Sequence, residues 1–266
     1  MIDQARPRQV ACFTEAEPEL PLARRAFAEG VGTLLLAIAL TAALSATGRQ
    51  ERVVGAGLGM AATLTALIVA LGPVSGGHFN PLITALLWAR GERSSKCLIA
   101  YLAAQVAGAV IGGLIGNPAF QATGAAHHPA TTSFGNLQVV AELVATSGLM
   151  IVVMGVKEAA PPTVGPFAAG AWVAMINLLL PSGALANPAL AIAASLAGGG
   201  SKGGGAIASY LLFEIVGGGI ALAVISTAYP RRRRPRPVRV SAHAPSAAMP
   251  RGLRTAVPTK KQTFEG

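Results

Sequence analysis

Two triplets, Asn80-Pro81-Leu82 and Asn187-Pro188-Ala189, contain the residues of this chain whose types and spacing are best suited to chemistry. Asn is a preferred N-cap of a helix and Pro is well tolerated at the first helical position, so both triplets predict helix starts. The side-chain amide of each Asn also offers N–H donors, which can bind the oxygen of a passing neutral molecule. The pair of triplets therefore predicts one binding region assembled from two distant parts of the chain.

Two acidic residues, Glu29 and Glu142, lie inside strongly apolar stretches, where an ionisable group usually marks function. We predict that each carboxylate supports one of the loops before the triplets by accepting hydrogen bonds from backbone N–H groups. A proton relay is the alternative, and it is disfavoured because no His or second acid is evidently paired with either Glu. His78 is predicted to pack against the first loop, and Glu214 to bond at a helix interface or subunit contact.

The elements that position the triplets are short apolar runs, which end near Ala89 and Ala197. A helix of about ten residues is roughly 15 Å long, which is half of a ~30 Å hydrocarbon core. Two such half-helices that meet at their N-termini would together cross a membrane once. This arrangement is typical of a pore and not of a soluble core. A third triplet, Asn117-Pro118-Ala119, has no apolar run behind it and is predicted to form a turn.

The composition indicates an all-α membrane protein, since 52% of the 266 residues are hydrophobic and only 12% are charged. Hydropathy predicts six transmembrane helices, at residues 23–46, 53–73, 96–116, 137–156, 164–181 and 205–229. The two cysteines, Cys12 and Cys97, offer neither a metal-ligand spacing nor a disulfide framework. No catalytic constellation, metal site or cofactor motif is visible, so an enzyme is not expected.

The net charge of +10 is distributed as the positive-inside rule requires, and this argues against a nucleic-acid partner. With both ends of the chain in the cytoplasm, all of the 21 Lys and Arg except Arg49, Arg52 and Lys202 fall on the inside. Residues 1–22 are predicted to be a cytoplasmic tail and residues 230–266 a basic, disordered cytoplasmic tail. The basic cluster is predicted to anchor the orientation next to the membrane lipid of the inner (cytoplasmic) membrane; it consists of Arg231–Arg234, Arg236 and Arg239.

An internal repeat relates two halves of the channel-forming region 23–229, at about 23–118 and 137–229. Ala28-Glu29 followed by Thr33 matches Ala141-Glu142 followed by Thr146, and Gln105 with Gly108 matches Glu214 with Gly217; one Asn triplet lies between these landmarks in each half. Each half contains three spans, an odd number, so the second must enter the membrane from the opposite side. The repeat is therefore inverted, and its symmetry brings the two re-entrant half-helices together.

These motifs resemble the aquaporin, or major intrinsic protein, family over roughly residues 23–229. The resemblance rests on the paired triplets, the sequence from Ser75 to Pro81, and a Glu in the first and fourth spans. It implies six spans with two re-entrant half-helices, a homotetramer with one pore in each subunit, and Asn80 and Asn187 at the pore midplane. Leu82 replaces the usual Ala of the first triplet, which we interpret as a change in packing because the Asn donor is kept.

The resemblance also implies an outer constriction, and here the chain departs from the family. The Arg that usually follows the second triplet is replaced by Leu190. Family spacings place the other constriction residues at Met60, Ala184 and, within one residue, Met175. The predicted constriction is apolar, and it is similar to that of some bacterial relatives associated with arsenic resistance.

The sequence therefore predicts a passive channel for small uncharged solutes, with water, glycerol-like molecules and metalloid acids such as arsenite as candidates. Three alternatives stay open: a dedicated water channel, a structural or adhesive membrane protein whose apolar constriction is closed, and an ion-coupled carrier. The carrier is disfavoured because it would need ionisable groups at the midplane, where the triplets provide only Asn.

Overall fold

The structure, a computed structural model, describes residues 20–44, 50–121, 136–180, 184–197 and 204–229, and all of its regular elements are helical. A 3₁₀ turn at Pro162–Val164 precedes the sixth α-helix. The α-helices of these residues are α1 (Leu22–Leu44), α2 (Gln50–Ser75), α3 (Pro81–Ala89), α4 (Ser95–Gln121), α5 (Asn136–Ala159), α6 (Gly165–Leu179), α7 (Pro188–Ala197) and α8 (Gly204–Ala228).

Six of these helices (α1, α2, α4, α5, α6 and α8) are long and apolar enough to cross a membrane, whereas α3 and α7 are only 9 and 10 residues long. The predicted six spans and two half-helices are thus confirmed. Residues 1–19 and 230–266, which contain most of the two predicted tails, lie outside the described residues.

The two halves of the chain pack their helices in equivalent ways. Helix α1 lies against α2 and α4 in the first half, and α5 lies against α6 and α8 in the second. Glycines at matching repeat positions allow close approaches: a Cβ on Gly108 would collide with the Gly30 carbonyl oxygen, and one on Gly217 would lie 2.9 Å from Thr146 Cβ. Small residues at these crossings bring the helices close enough for their buried polar side chains to meet.

One local prediction of the fold was wrong. The third triplet, Asn117-Pro118-Ala119, was expected to form a turn, but α4 continues through it to Gln121. A proline removes one i→i−4 hydrogen bond but does not by itself end a helix, and α2 likewise contains a proline, Pro73.

An ionic cluster joins the end of α3 to the end of α5. Arg90, the C-cap of α3, donates from Nε to Glu92 at 2.8 Å and from Nη2 to Glu158 at 2.7 Å, and Lys157 also pairs with Glu92. Burial raises the pKa of Glu92, but the hydrogen bonds and charges of Lys157 and Arg90 outweigh this effect and lower the pKa below its ordinary value of 4.5. The cluster connects the first half-helix to the second half of the chain.

Candidate functional site: the paired half-helix N-termini

The loop before α3 is fixed by hydrogen bonds to Glu29, which is fully buried on α1. Its Oε1 accepts hydrogen bonds from the His78 backbone N–H at 2.9 Å and from the Ser75 hydroxyl at 2.7 Å. Its Oε2 accepts from the Phe79 backbone N–H at 2.7 Å and from Gln105 Nε2 at 2.8 Å. Four donors thus surround one carboxylate, which satisfies a charge that would otherwise be costly at this depth.

The loop before α7 is held in a related way by two acids. Glu142 Oε2 accepts from the Leu185 backbone N–H at 3.0 Å, and Oε1 accepts from Ala186 N–H at 2.7 Å. Glu214 Oε1 accepts from the Asn187 backbone N–H at 2.7 Å. Glu214 thus lies at the interface of α5 and α8, as predicted, and it also binds the loop, which was not predicted. The premise that no second acid lies beside Glu142 was wrong. Close packing of α5 and α8 brings both carboxyl groups to the same loop.

Two residues, Phe79 and Ala186, turn the two loops towards each other. Both have positive φ angles, 45° and 51°, a conformation that is uncommon for residues other than glycine. The carbonyl oxygen of Phe79 accepts a hydrogen bond from Asn187 Nδ2 at 2.9 Å, and that of Ala186 accepts one from Asn80 Nδ2 at 2.9 Å. Strained backbone of this kind persists only where its surroundings fix it, and here a buried Glu binds the N–H of each residue.

Each Asn also caps its own half-helix. Asn80 Oδ1 accepts from the Leu82 N–H at 2.9 Å, and Asn187 Oδ1 accepts from the Ala189 N–H at 3.0 Å. Pro81 and Pro188 are the first residues of α3 and α7, where a proline removes no helical hydrogen bond. Since every Asn amide bridges to the opposite loop, the positive N-terminal ends of the two half-helices face each other.

A narrow cavity of about 50 Å³ runs past these N-termini. Both Asn80 and Asn187 line it, together with His78 and Asn177, and its other walls are apolar. In the part of the chain that the structure describes, its lining includes no Asp, Glu, Lys or Arg. The remaining lining residues are Leu36, Leu40, Met60, Leu64, Ile68, Ile83, Leu149, Val153, Ala169, Val173, Ile176, Ala184, Leu185 and Leu190.

Three of the four predicted constriction residues, Met60, Ala184 and Leu190, lie along this cavity, but Met175 does not. The neighbouring Ile176 does, and it is buried. One residue on an α-helix corresponds to a rotation of about 100°, so an error of one position moves a side chain to another face of α6. Met175 packs instead against the hydrophobic core.

His78 is almost fully buried at the start of the first loop. Its Nδ1 lies 2.9 Å from Thr84 Oγ1, its Nε2 lies 3.4 Å from Arg93 Nη2, and its ring meets Tyr101 edge-to-face with centroids 5.4 Å apart. The ring is thus packed against the loop and against α4, and it also contributes to the wall of the cavity.

Leu82, which stands where the second triplet has Ala189, is accommodated by a glycine on a neighbouring helix. A Cβ built on Gly218 of α8 would lie 3.0 Å from Leu82 Cδ1 and 3.2 Å from Cδ2. Ala189 itself is fully buried. The larger side chain therefore fills space that the missing Gly218 side chain leaves open.

Sequence reasoning missed the roles of four residues: Gln105, Glu214, Ile176 and Asn177. The matched repeat positions of Gln105 and Glu214 were a usable signal, because a residue equivalent to Gln105 would be expected to reach the equivalent loop. Whether Ile176 and Asn177 face the cavity depends on the rotation of α6 about its axis, and the sequence contains no signal for that rotation.

Comparison with known proteins identifies relatives of this arrangement. The family profile described as "Major intrinsic protein" matches residues 18–221. Aquaglyceroporin AqpS of Rhizobium meliloti is 31% identical over 223 residues, which cover 78% of this chain and 91% of that protein. Aquaporin Z of Photorhabdus laumondii is 35% identical over 142 residues, which cover 47% of this chain and only 61% of that relative.

A third relative, the probable aquaporin AqpM of Archaeoglobus fulgidus, is 33% identical over 54% of this chain and 70% of its own length. Among solved structures, the aquaglyceroporin from Plasmodium falciparum has a TM-score of 0.64 and covers 79% of this chain and 96% of its own. The identity in that comparison is 18%, so it bears on the fold alone.

Proposed function

Because this chain belongs to the major intrinsic protein family, whose members are membrane channels and not enzymes, we propose that it is a passive channel for small uncharged solutes. The solutes that we propose are glycerol-like molecules, undissociated metalloid acids such as arsenite, and water. The path runs through the cavity, with the triplets Asn80-Pro81-Leu82 and Asn187-Pro188-Ala189 at its midplane.

One observation carries this proposal: the amide groups of Asn80 and Asn187 lie on a cavity wall whose other residues, apart from His78 and Asn177, are apolar. Each Asn amide has two N–H donors, and one of them is already bonded to the opposite loop at 2.9 Å. The second donor of each amide is then available to the oxygen of a neutral solute. A cation gains nothing from these donors, and it meets the positive ends of two helices in a cavity that no carboxylate of the described residues lines.

The apolar constriction supports solutes larger than water. Met60, Ile176, Ala184 and Leu190 offer no charged donor to replace the hydrogen bonds that water loses there, and such a loss is costly. A molecule with an apolar face loses less at the same ring. One of the similar proteins, 31% identical, is named an aquaglyceroporin, which agrees with this interpretation.

We further propose a homotetramer in the inner membrane, with both termini cytoplasmic. The distribution of Lys and Arg along the chain supports the orientation. Large apolar side chains on the outside of the bundle, such as Phe27, Ile99 and Ile215, are 72%, 69% and 62% exposed, as expected where lipid or neighbouring subunits cover them.

The test is stopped-flow light scattering on proteoliposomes, with water, glycerol and arsenite gradients compared against protein-free vesicles. We expect all three permeabilities to rise, and the solute permeabilities to rise without any ion gradient. Water flux alone would favour a dedicated water channel. Absence of flux for every solute would favour a closed, structural protein, and a requirement for an ion gradient would favour a carrier.

A further inference from the structure

Two acids behind the second loop form a contact that the channel proposal does not require. Glu142 on α5 and Glu214 on α8 are both buried, and they accept hydrogen bonds from the backbone N–H groups of two consecutive residues, Ala186 and Asn187, which places their carboxyl groups side by side. Two carboxylates in an apolar interior repel each other strongly, and a carboxylate has no proton to donate to its neighbour. The contact is therefore satisfied only if one of the two groups carries a proton.

The hydrogen-bond donors around the pair indicate which acid that is. Glu142 accepts hydrogen bonds from two backbone N–H groups, and its Oε1 lies 3.3 Å from Thr146 Oγ1, so hydrogen-bond donors of the protein stabilise its negative charge. Glu214 accepts the Asn187 N–H through Oε1, whereas no described donor lies within hydrogen-bonding distance of its buried Oε2. A buried acceptor without a partner is costly, and a proton on Oε2 converts it into a donor towards Glu142.

The first half of the chain shows what a neutral donor does at the equivalent position. Gln105 matches Glu214 in the repeat, and its Nε2 donates to Glu29 Oε2 at 2.8 Å. The first loop is thus held by one carboxylate and one neutral donor. A protonated Glu214 gives the second loop the same arrangement and leaves each half with a single negative charge.

We propose that Glu142 and Glu214 share one proton, held on Glu214 Oε2 and donated to the Glu142 carboxylate, and that this proton makes Glu214 a positioning residue for the second half-helix. Glu214 binds the N–H of Asn187, so the proton fixes the Asn whose amide lines the cavity. The consequence for solute flux rests on the proposed function, whereas the existence of the proton does not.

The surroundings of the pair determine its response to pH. Tyr210, one turn earlier on α8, is close enough to interact electrostatically with both carboxyl groups, and α5 contributes the neutral Thr146. The loop contributes backbone N–H groups. When alkaline solution removes the proton, two negative charges are left in contact and the bond from Glu214 to Glu142 is lost. Thermal stability and solute flux should therefore fall as the pH rises.

Infrared difference spectroscopy of the reconstituted protein tests the proton directly, and it requires no transported solute. We expect a carbonyl stretch of a protonated carboxylic acid at neutral pH that disappears at alkaline pH. The band should be absent from Glu214→Gln, since Gln keeps an N–H donor and a C=O acceptor but cannot ionise.

The matched variant Gln105→Glu places a second acid beside Glu29 in the first half. Between neutral and alkaline pH, the unfolding temperature and the solute flux of the native protein should both fall, the flux several-fold. The same profiles should be flat for Glu214→Gln and steeper for Gln105→Glu. If Glu214→Gln does not fold, the native spectrum and the Gln105→Glu profile still decide the question.

Several results would overturn the proposal. A native spectrum without a protonated-acid band, or a band that persists in Glu214→Gln, would show that the proton is not on this pair. A native stability that rises on titration with potassium or calcium ions, together with a missing band, would show that a cation bridges two carboxylates instead. Protein that shows no flux but displays the expected band and stability profile would contradict only the proposed function.

Discussion

At the scale of single residues, Asn80 and Asn187 combine two functions that a carboxylate could not combine. Each uses its oxygen to cap its own half-helix and one N–H to bind the opposite loop. An aspartate at either position keeps the cap but has no amide donor, and it would present a negative oxygen to a carbonyl oxygen.

We predict that Asn80→Asp and Asn187→Asp each reduce glycerol flux by about tenfold or more, because an unmade buried hydrogen bond costs about 1–3 kcal/mol. The matched control is Asn177→Asp, which adds the same charge to the same cavity, whereas the Asn177 amide donates within its own helix, to Val173 O at 2.8 Å, and not to the opposite loop. Flux per folded protein is measured in proteoliposomes. An equal loss in all three variants would assign the effect to charge and not to the amide donor.

The residue scale also shows where sequence reasoning ends. The two Asn, Glu29 and Glu142 could be chosen because their types are unusual in an apolar setting. Met175 was chosen in place of Ile176 because a span of apolar residues contains no marker of helix rotation. The bond from Glu214 to the second loop was not predicted, because the Asn187 N–H that it binds is distant from it in sequence.

At the scale of elements, the half-helices were predictable because each has its own start signal, an Asn followed by a Pro. How they pack was not predictable, since it depends on pairs such as Leu82 and Gly218 that are distant in sequence. The extension of α4 beyond the predicted span has the same origin, because helix ends depend on context more than helix interiors do.

Leu82 and Gly218 give an element-scale prediction. Gly218→Val should lower stability by about 1–3 kcal/mol, the usual cost of overpacking, because a Cβ would already lie 3.0 Å from Leu82. Gly219→Val is the matched control, since a Cβ there meets nothing within 4 Å. Thermal unfolding in detergent measures both. Leu82→Ala should reduce the destabilisation caused by Gly218→Val. A double-mutant cycle in which the two effects simply add would contradict the proposed contact.

The ionic cluster at the ends of α3 and α5 gives a second prediction at the scale of elements. Arg90→Ala should destabilise the protein by about 2 kcal/mol, because Glu158 loses its charged donor and Glu92 keeps only Lys157. The exposed Arg24 on α1 provides the control, Arg24→Ala, which should have little effect. The readout is the unfolding temperature of each variant at neutral pH.

The same cluster should respond to acid. The folded-state pKa of Glu92 is lowered, so its contribution to stability is present above the unfolded value of 4.5 and is lost as the pH falls through the folded value. The native unfolding temperature should therefore drop below about pH 4.5 by more than that of Glu92→Gln. Identical acid profiles of the two proteins would refute this assignment.

At the scale of the whole molecule, the repeat explains why the fold could be predicted almost completely. An odd number of spans in each half forces the inversion, and the inversion brings the two triplets together whatever the details of the loops. The dimensions of the cavity could not be predicted in this way. They depend on side-chain directions on α1, α2, α5 and α6, which the repeat does not determine.

Topology gives a prediction for the whole chain. An even number of spans, with Lys and Arg concentrated on one side, predicts that both termini lie in the cytoplasm. A cysteine introduced by Arg234→Cys should stay unlabelled by an impermeant reagent in intact cells and become labelled after permeabilisation. Labelling of this cysteine in intact cells would contradict the predicted orientation.

The central claim is that an apolar constriction without a cation selects small neutral solutes over water. The most direct measurement is the ratio of glycerol to water permeability of the native protein and of Leu190→Arg, in the same vesicles and normalised to folded protein. The native ratio should be higher, because the guanidinium supplies donors that water can use and narrows the path for the larger solute. A native protein that conducts water rapidly and excludes glycerol and arsenite would contradict the account.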